Sequence, residues 1–185
     1  MDNQNGARQP FAPITPPSWG AMACKRAFDI VCSLLGLVVL SPLLLAVSLL
    51  VAVTSPGGVF FRQERIGKGG KPFRIFKFRS MRKDNAGLKI TTGNDSRITP
   101  VGRFLRKSKI DELPQLINIL KGDMSIVGPR PERKCLADEI SKEIPEFCYR
   151  LKVRGGLTGY AQIYGKYNTS AYDKLRLDMM YIENY

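Results

Sequence analysis

IVCSLLGLVVLSPLLLAVSLLVAV, Ile30 to Val53, is the apolar core of a stretch that carries no charge from Ile30 to Phe61. As one straight helix, these residues rise about 36 Å, enough to cross a bilayer. Ser41-Pro42 stands near the middle. A proline there removes a ladder hydrogen bond and presses its ring on the preceding turn. The Ser41 hydroxyl can partly satisfy the freed backbone, which makes a kink bearable in lipid. Both flanks are basic: Lys25 and Arg26 before, Arg62, Arg65 and Lys68 after. Positive flanks stay on the cytoplasmic side, so both ends are drawn to one face. On these residues, a spanning helix and a helix–break–helix hairpin entering and leaving one leaflet stand level. A buried helix of a soluble core is a third reading, disfavoured by the length of the uncharged run.

The segments on either side follow from composition. Met1 to Gly20 is rich in Pro, Asn and Gln and reads as a disordered leader or remnant linker. It is not a signal peptide, because the apolar run starts late and no A-x-A site follows it. Thr54 to Gly58 is a turn. Val59 to Gln63 and Phe73 to Met81 carry β-formers, with Gly67-Lys68-Gly69-Gly70-Lys71 between them. This predicts a β-hairpin close to the membrane. The glycines lack Walker spacing and form the hairpin tip. In Phe73 to Met81, apolar and basic residues alternate, giving one packed and one cationic face, with Arg74 and Arg79 on a solvated side.

The chain has 185 residues, expected to form one domain plus an appendage. Net charge is +13, and 15 of the basic residues fall between Arg62 and Lys109, against three acidic ones. Such a face suits nucleic acid, anionic lipid or phosphorylated substrates. The chain has no histidine, which excludes His-based acid–base catalysis, His metal sites and Ser-His triads. Cys24, Cys32, Cys135 and Cys148 form no C-x-x-C and read as reduced, buried and structural.

Arg106 to Pro131, RKSKIDELPQLINILKGDMSIVGPRP, sets the carboxylates Asp111-Glu112 behind Arg106, Lys107 and Lys109. Ser108 or Asp111 is placed to cap a helix that ends at Lys121-Gly122. The pair then lies at the positive end of that helix, which favours ionised carboxylates and attracts phosphate. Neighbouring helical positions point about 100° apart, so one carboxylate is free to attack while the other holds a cation. Taken alone, the pair is also an ordinary acidic cap. Gly128-Pro129-Arg130-Pro131 fixes an arginine between two prolines, a rigid turn that suits bidentate capture of phosphate. Asp84 to Thr99 is a polar loop placed to frame the site. Val101 to Lys107 reads as a short basic helix, and Cys135 to Leu151 as an amphipathic helix broken at Pro145. Ala171 to Tyr185 reads as a helix with Leu175, Met179 and Ile182 on one face.

Ile110 to Gln115, Leu120 to Ser125 and Gly128 to Pro131 resemble the bacterial sugar transferase family, the monotopic phosphoglycosyl transferases. The likeness runs from about Lys25 to Tyr185 and includes the Ser41-Pro42 break, which favours the re-entrant form. The family pattern has proline where Gly155 stands, a Gly-Arg-Asn form near Gly165 to Asn168, and commonly a further amphipathic stretch, so a short or truncated form is expected. The fold implied is helix-rich α/β. Residues 1–22 are the leader, 23–58 a re-entrant membrane helix, and 59–185 a small cytosolic catalytic domain with a short β-hairpin.

The activity implied is transfer of a phospho-sugar from a nucleotide diphosphate sugar, UDP-linked by expectation, to polyprenyl (undecaprenyl) phosphate. Asp111 is the implied nucleophile and Glu112 the implied Mg²⁺ ligand, with Mg²⁺ the only cofactor. Lys77, Arg106, Arg130 and Asp178 are the implied substrate-binding residues. Without the resemblance, Asp178 is an ordinary surface aspartate, and Arg106 stands level between a surface cation and one that the short helix brings toward Asp111. The implied location is the cytoplasmic face of a bacterial inner membrane, with membrane lipid as partner, no nucleic acid, and oligomeric state open, a homodimer included. The competing class is a non-enzymatic basic module on anionic lipid or RNA, which gains nothing from a carboxylate pair among its cations.

Overall fold

Two apolar helices joined at a sharp bend lead the chain. The computed structural model describes residue 11 and residues 18–55, 57–82, 95–166 and 168–184. Helix α1 (Trp19–Val39) is capped by the Ser18 hydroxyl, which accepts from the Ala21 amide. It starts four residues ahead of the boundary expected at residue 23, and the rest of the expected leader lies outside the described residues apart from Phe11 and Ser18. Helix α2 (Ser41–Thr54) follows after Leu40 at an angle of 63°. Pro42 sits in the first turn of α2, where its missing N–H has no partner to lose. The Ser41 hydroxyl donates to the Val38 carbonyl at 2.7 Å, relieving the broken ladder as the sequence suggested. Among the described residues no single helix is long and apolar enough to cross a membrane; the bent pair passes that test only together.

One side of the pair is bare. Val31, Leu34, Leu35, Val38 and Val39 of α1 and Leu45, Leu49 and Val53 of α2 are exposed, Val53 at 80%. The other side packs: Val47 and Val51 meet Phe78 and Leu105, and Gly36 faces Leu116. The polar start of α1 is also packed. Asp29 is 1% exposed and accepts from Lys25 Nζ (2.7 Å), Ser125 Oγ (3.0 Å) and the Ile126 amide (3.0 Å). Arg26 donates to the Ile119 and Leu120 carbonyls, at a helix end where the regular i+4 partners are lacking. The two basic residues of this flank thus hold the helix to the rest of the molecule.

Strands β1 (Phe60–Ile66) and β2 (Pro72–Phe78) form the expected antiparallel hairpin, in register from Phe60↔Phe78 to Ile66↔Pro72. Helix α3 (Pro100–Lys107) is capped by Thr99. A 3₁₀ turn (Ile110–Glu112) leads to α4 (Gln115–Lys121), closed by Gly122 in the left-handed region. Next come β3 (Met124–Val127), α5 (Lys134–Glu143), a 3₁₀ segment (Pro145–Lys152), β4 (Gly155–Thr158), α6 (Tyr160–Ile163) and α7 (Ala171–Glu183). Pro145 ends the helical stretch, as expected. On α7, Leu175, Met179 and Ile182 face the core with Phe147 and Val153. The result is a helix-rich α/β unit with a short hairpin, as the sequence implied.

Two expectations change. Neither Ser108 nor Asp111 caps the start of α4: Ser108 closes the C-terminus of α3, Lys109 turns the chain at φ 61°, and α4 begins only after Pro114. The carboxylate pair therefore sits on a separate 3₁₀ turn and not in the first turn of α4. The cysteines are free but not buried: Cys24, Cys135 and Cys148 are exposed and Cys32 is half-buried. The parallel pairing of β3 with β4 was not foreseen. It requires Gly156, since a Cβ there would collide with the Gly128 backbone.

Candidate active site

The left-handed turn at Lys109 is the only non-glycine residue with that conformation among the described residues. It reverses the chain between α3 and α4 and turns both carboxylates inward, Asp111 at 8% and Glu112 at 9% exposure. Such a conformation costs about 1 kcal/mol and persists where the surroundings enforce it. Here Leu105 on one side and Leu116 and Ile119 on the other are buried anchors.

Lys77 comes from β2, and Asn118 of α4 sets the depth of that strand. Fully buried, Asn118 accepts from the Phe76 amide at 2.9 Å and donates to the Arg74 carbonyl at 2.8 Å. It thereby pairs a strand edge that no other strand covers among the described residues. Lys77 Nζ then donates to Glu112 Oε1 at 2.7 Å. From the loop after β3, Arg130 makes a two-pronged pair with the same carboxylate, Nη1 to Oε2 at 3.1 Å and Nη2 to Oε1 at 2.5 Å. Such forks are the stronger kind of charge-assisted bond.

The electrostatics separate the two carboxylates. Burial pushes Glu112 up, but the Arg130 fork and Lys77 override it and hold it at about 2. Burial lowers Lys77, against the pull of Glu112. Burial also lowers Arg130, yet its bonds to Glu112 leave it raised. Asp111 is raised, first by burial and then by the Glu112 charge, with Lys77, Arg106 and Lys109 opposing. The expected cause changes: no α-helix starts at Asp111 to favour its ionised form, and burial raises it instead, with Lys77, Arg106 and Lys109 pulling the other way. Its Oδ1 is buried and accepts no hydrogen bond from the protein.

The sequence-predicted residues divide accordingly. Asp111, Glu112, Lys77 and Arg130 converge. Arg106 acts on the Asp111 charge, while its Nη1 donates to the Met81 sulfur at 3.3 Å. Asp178 does not face the pair. It is 1% exposed, so it is no surface aspartate, and it binds Arg150 Nε at 2.7 Å. Arg150 in turn donates to the Arg130 carbonyl. Ser41 and Pro42 form the helix break, away from these charges. The expected framing loop, residues 84–99, lies largely outside the described residues. Asp29, Asn118 and Arg150 were missed. An aspartate at the edge of an apolar helix and an asparagine within LINIL are the signals that could have marked two of them.

A metal has limited room for ligands. Among the described residues no group of three or more Cys, Asp or Glu stands together. Magnesium needs only one or two carboxylates beside substrate phosphates and water. Glu112 does not fit the role of main ligand, since both its oxygens already accept from Lys77 and Arg130. The unpartnered Asp111 Oδ1 does fit.

The chain thus joins an apolar bent helix pair to an α/β unit in which two inequivalent carboxylates stand among fixed cations. Residues 20–185 match the family described as bacterial sugar transferase, and the chain belongs to that family. It is 45% identical over 87% of its length to UDP-N-acetylgalactosamine-undecaprenyl-phosphate N-acetylgalactosaminephosphotransferase of Aeromonas hydrophila. It is 45% identical over 89% of its length to UDP-glucose:undecaprenyl-phosphate glucose-1-phosphate transferase of Escherichia coli. These alignments span 39% and 36% of those relatives. It is also 42% identical to Exopolysaccharide production protein PSS of Rhizobium leguminosarum bv. phaseoli, over 89% of this chain and 88% of that one.

Proposed function

We propose that this chain transfers a sugar phosphate from a nucleotide diphosphate sugar, UDP-linked as in the relatives' names, to undecaprenyl phosphate. The observation that carries the reading is the unpartnered, buried Asp111 Oδ1 beside a glutamate clamped by Lys77 and Arg130. Asp111 attacks the β-phosphorus, and the bond from that phosphorus to the bridging oxygen breaks. Nucleoside monophosphate leaves with the bridging oxygen. An oxygen of the lipid phosphate then attacks the same phosphorus and Asp111 departs, giving polyprenyl diphosphate sugar. Arg130, Lys77 and Arg106 stabilise the negative charge on the phosphoryl oxygens. If Mg²⁺ binds, Asp111 would be its protein ligand, and the ion would supply neutralisation of the diphosphate charge. A module that only docks on anionic surfaces has no use for the two carboxylates. The test is release of nucleoside monophosphate from a panel of nucleotide sugars with undecaprenyl phosphate. Chelator abolishes it and added Mg²⁺ restores it; release unaffected by chelator removes the metal from the proposal.

The bent pair α1–α2 belongs to the same proposal as a re-entrant anchor at the cytoplasmic face of the bacterial inner membrane. Its exposed Val and Leu face and its polar, packed start support this. In a cysteine-free background, Gly20→Cys and Glu64→Cys both stay unlabelled by an impermeant reagent outside intact cells. Labelling at one position alone establishes a spanning helix. Pro42→Leu shifts the chain toward that one-ended pattern by restoring a straight helix.

A further inference from the structure

Arg130 reaches Glu112 from a loop whose two prolines, Pro129 and Pro131, are buried while Arg130 between them is only half-buried. Behind residues 129–132 lies a cavity of about 170 Å³, walled in part by Ile66, Phe147, Leu151 and Val153. Hydrogen bonds tie the loop on both sides of Arg130: beyond it, the Ile66 amide donates to the Glu132 carbonyl at 3.0 Å and Arg65 Nη1 to the Pro131 carbonyl at 3.3 Å. Gly128 N donates to the Thr158 carbonyl and Gly156 N to the Pro129 carbonyl, each at 2.9 Å. The Tyr181 hydroxyl donates to the Val127 carbonyl at 2.8 Å. At Arg130 itself the tie is a side chain: Arg150 Nη2 donates to its carbonyl at 2.9 Å, while Nε donates to Asp178 Oδ2 at 2.7 Å. Arg150 is 8% exposed, and its guanidinium stacks 4.6 Å from the Phe147 ring centre. Burying two charges is expensive, and apolar residues of equal volume commonly serve stability as well or better. A pair retained here, bridging α7 to the back of the loop, has a positional use.

We infer that Arg150, oriented by Asp178, is a positioning residue that sets the Arg130 backbone so that its guanidinium meets Glu112 and the phosphoryl group bound beside it. This rests on the proposed phosphoryl role of Arg130. An arginine is required because one fork must bond a carboxylate and a carbonyl at once. A lysine keeps the charge for Asp178 but offers a point donor in place of that fork. A loop displaced by about 1 Å is enough to slow chemistry by roughly a hundredfold.

The test uses the full chain with Arg150→Lys, Arg130→Ala and the double variant. Deuterium uptake by residues 128–133 reads the loop without turnover, and monophosphate release reads the chemistry. Arg150→Lys raises uptake at 128–133 but not along α7, lowers kcat by about 10- to 100-fold, and changes donor KM little. In the Arg130→Ala background, the same change alters kcat less than twofold, because the route runs through Arg130. Asp178→Asn carries the same readouts should the lysine variant fail to fold. Wild-type uptake and kcat in Arg150→Lys overturn the inference, as does a kcat loss that multiplies with that of Arg130→Ala. Failure of the proposed activity is a separate result: wild-type chain then releases no monophosphate, while the uptake arm still decides the tie.

Discussion

Asp111→Asn is expected to cut monophosphate release on the order of 10⁴-fold, since it removes the attacking charge while preserving shape. Incubated with donor alone, the wild-type chain gains one phospho-sugar on the peptide bearing Asp111, and the variant gains none. Monophosphate then appears before lipid acceptor is added. Stability moves the other way. The folded chain raises Asp111 above its ordinary value through burial and the Glu112 charge. A carboxyl so raised favours folding below its unfolded value and loses that contribution as pH rises through the folded one. At neutral pH the raised carboxyl therefore opposes folding, and Asn relieves it. The variant melts at or above the wild-type temperature at pH 7, and the difference disappears toward pH 3. A reactive group held at some expense of stability is a common feature of catalytic sites. The acid limb of the wild-type rate profile also lies above the ordinary aspartate range. Should the adduct be absent and both substrates be needed before any monophosphate appears, Asp111 is not the nucleophile and serves a direct transfer as a base or as a metal ligand alone.

The fold was legible where one residue type forces local geometry. Pro42 dictated the break, the β-formers around Gly67 to Lys71 dictated the hairpin, and the spacing of Leu175, Met179 and Ile182 dictated the buried face of α7. The site was half legible. Lys77, Asp111, Glu112 and Arg130 converge, but their chemistry depends on what surrounds them, which no local pattern encodes. Lys109 in a left-handed turn moved the carboxylates off the α4 start, and burial then reversed the expected direction for Asp111. Glu112 was spent on Lys77 and Arg130, leaving little for a metal. The ties of Asp29 to Ser125 and of Arg150 to Asp178 join positions 96 and 28 residues apart. Each of those side chains reads locally as a surface charge or hydroxyl. The β3–β4 pairing was hidden because four-residue strands containing glycines display no usable period.

Glu112→Gln carries the second largest effect, and it touches both stability and rate. The carboxylate separates Lys77, 16% exposed, from Arg130, whose side chain is 36% exposed. Neutralising it leaves two partly buried cations facing each other. Breaking such a pair costs about 3 kcal/mol when fully buried, and about 2 kcal/mol is expected here because Arg130 is partly screened by solvent. The pH dependence identifies the cause. Glu112 is held at about 2, below its ordinary 4.5, so its contribution is complete above the unfolded value and is lost as pH falls toward 2. The stability gap between wild type and Glu112→Gln is therefore constant from pH 7 to about 5 and closes between about 4.5 and 2. Turnover falls more than about 100-fold, since Lys77 and Arg130 no longer share a fixed position around the phosphoryl group. The Mg²⁺ concentration for half-maximal rate stays within about threefold of wild type, because Glu112 has no oxygen to spare for the ion. A large rise in that concentration, with little change in stability, returns Glu112 to the role of metal ligand and requires its bonds to Lys77 and Arg130 to open during the reaction.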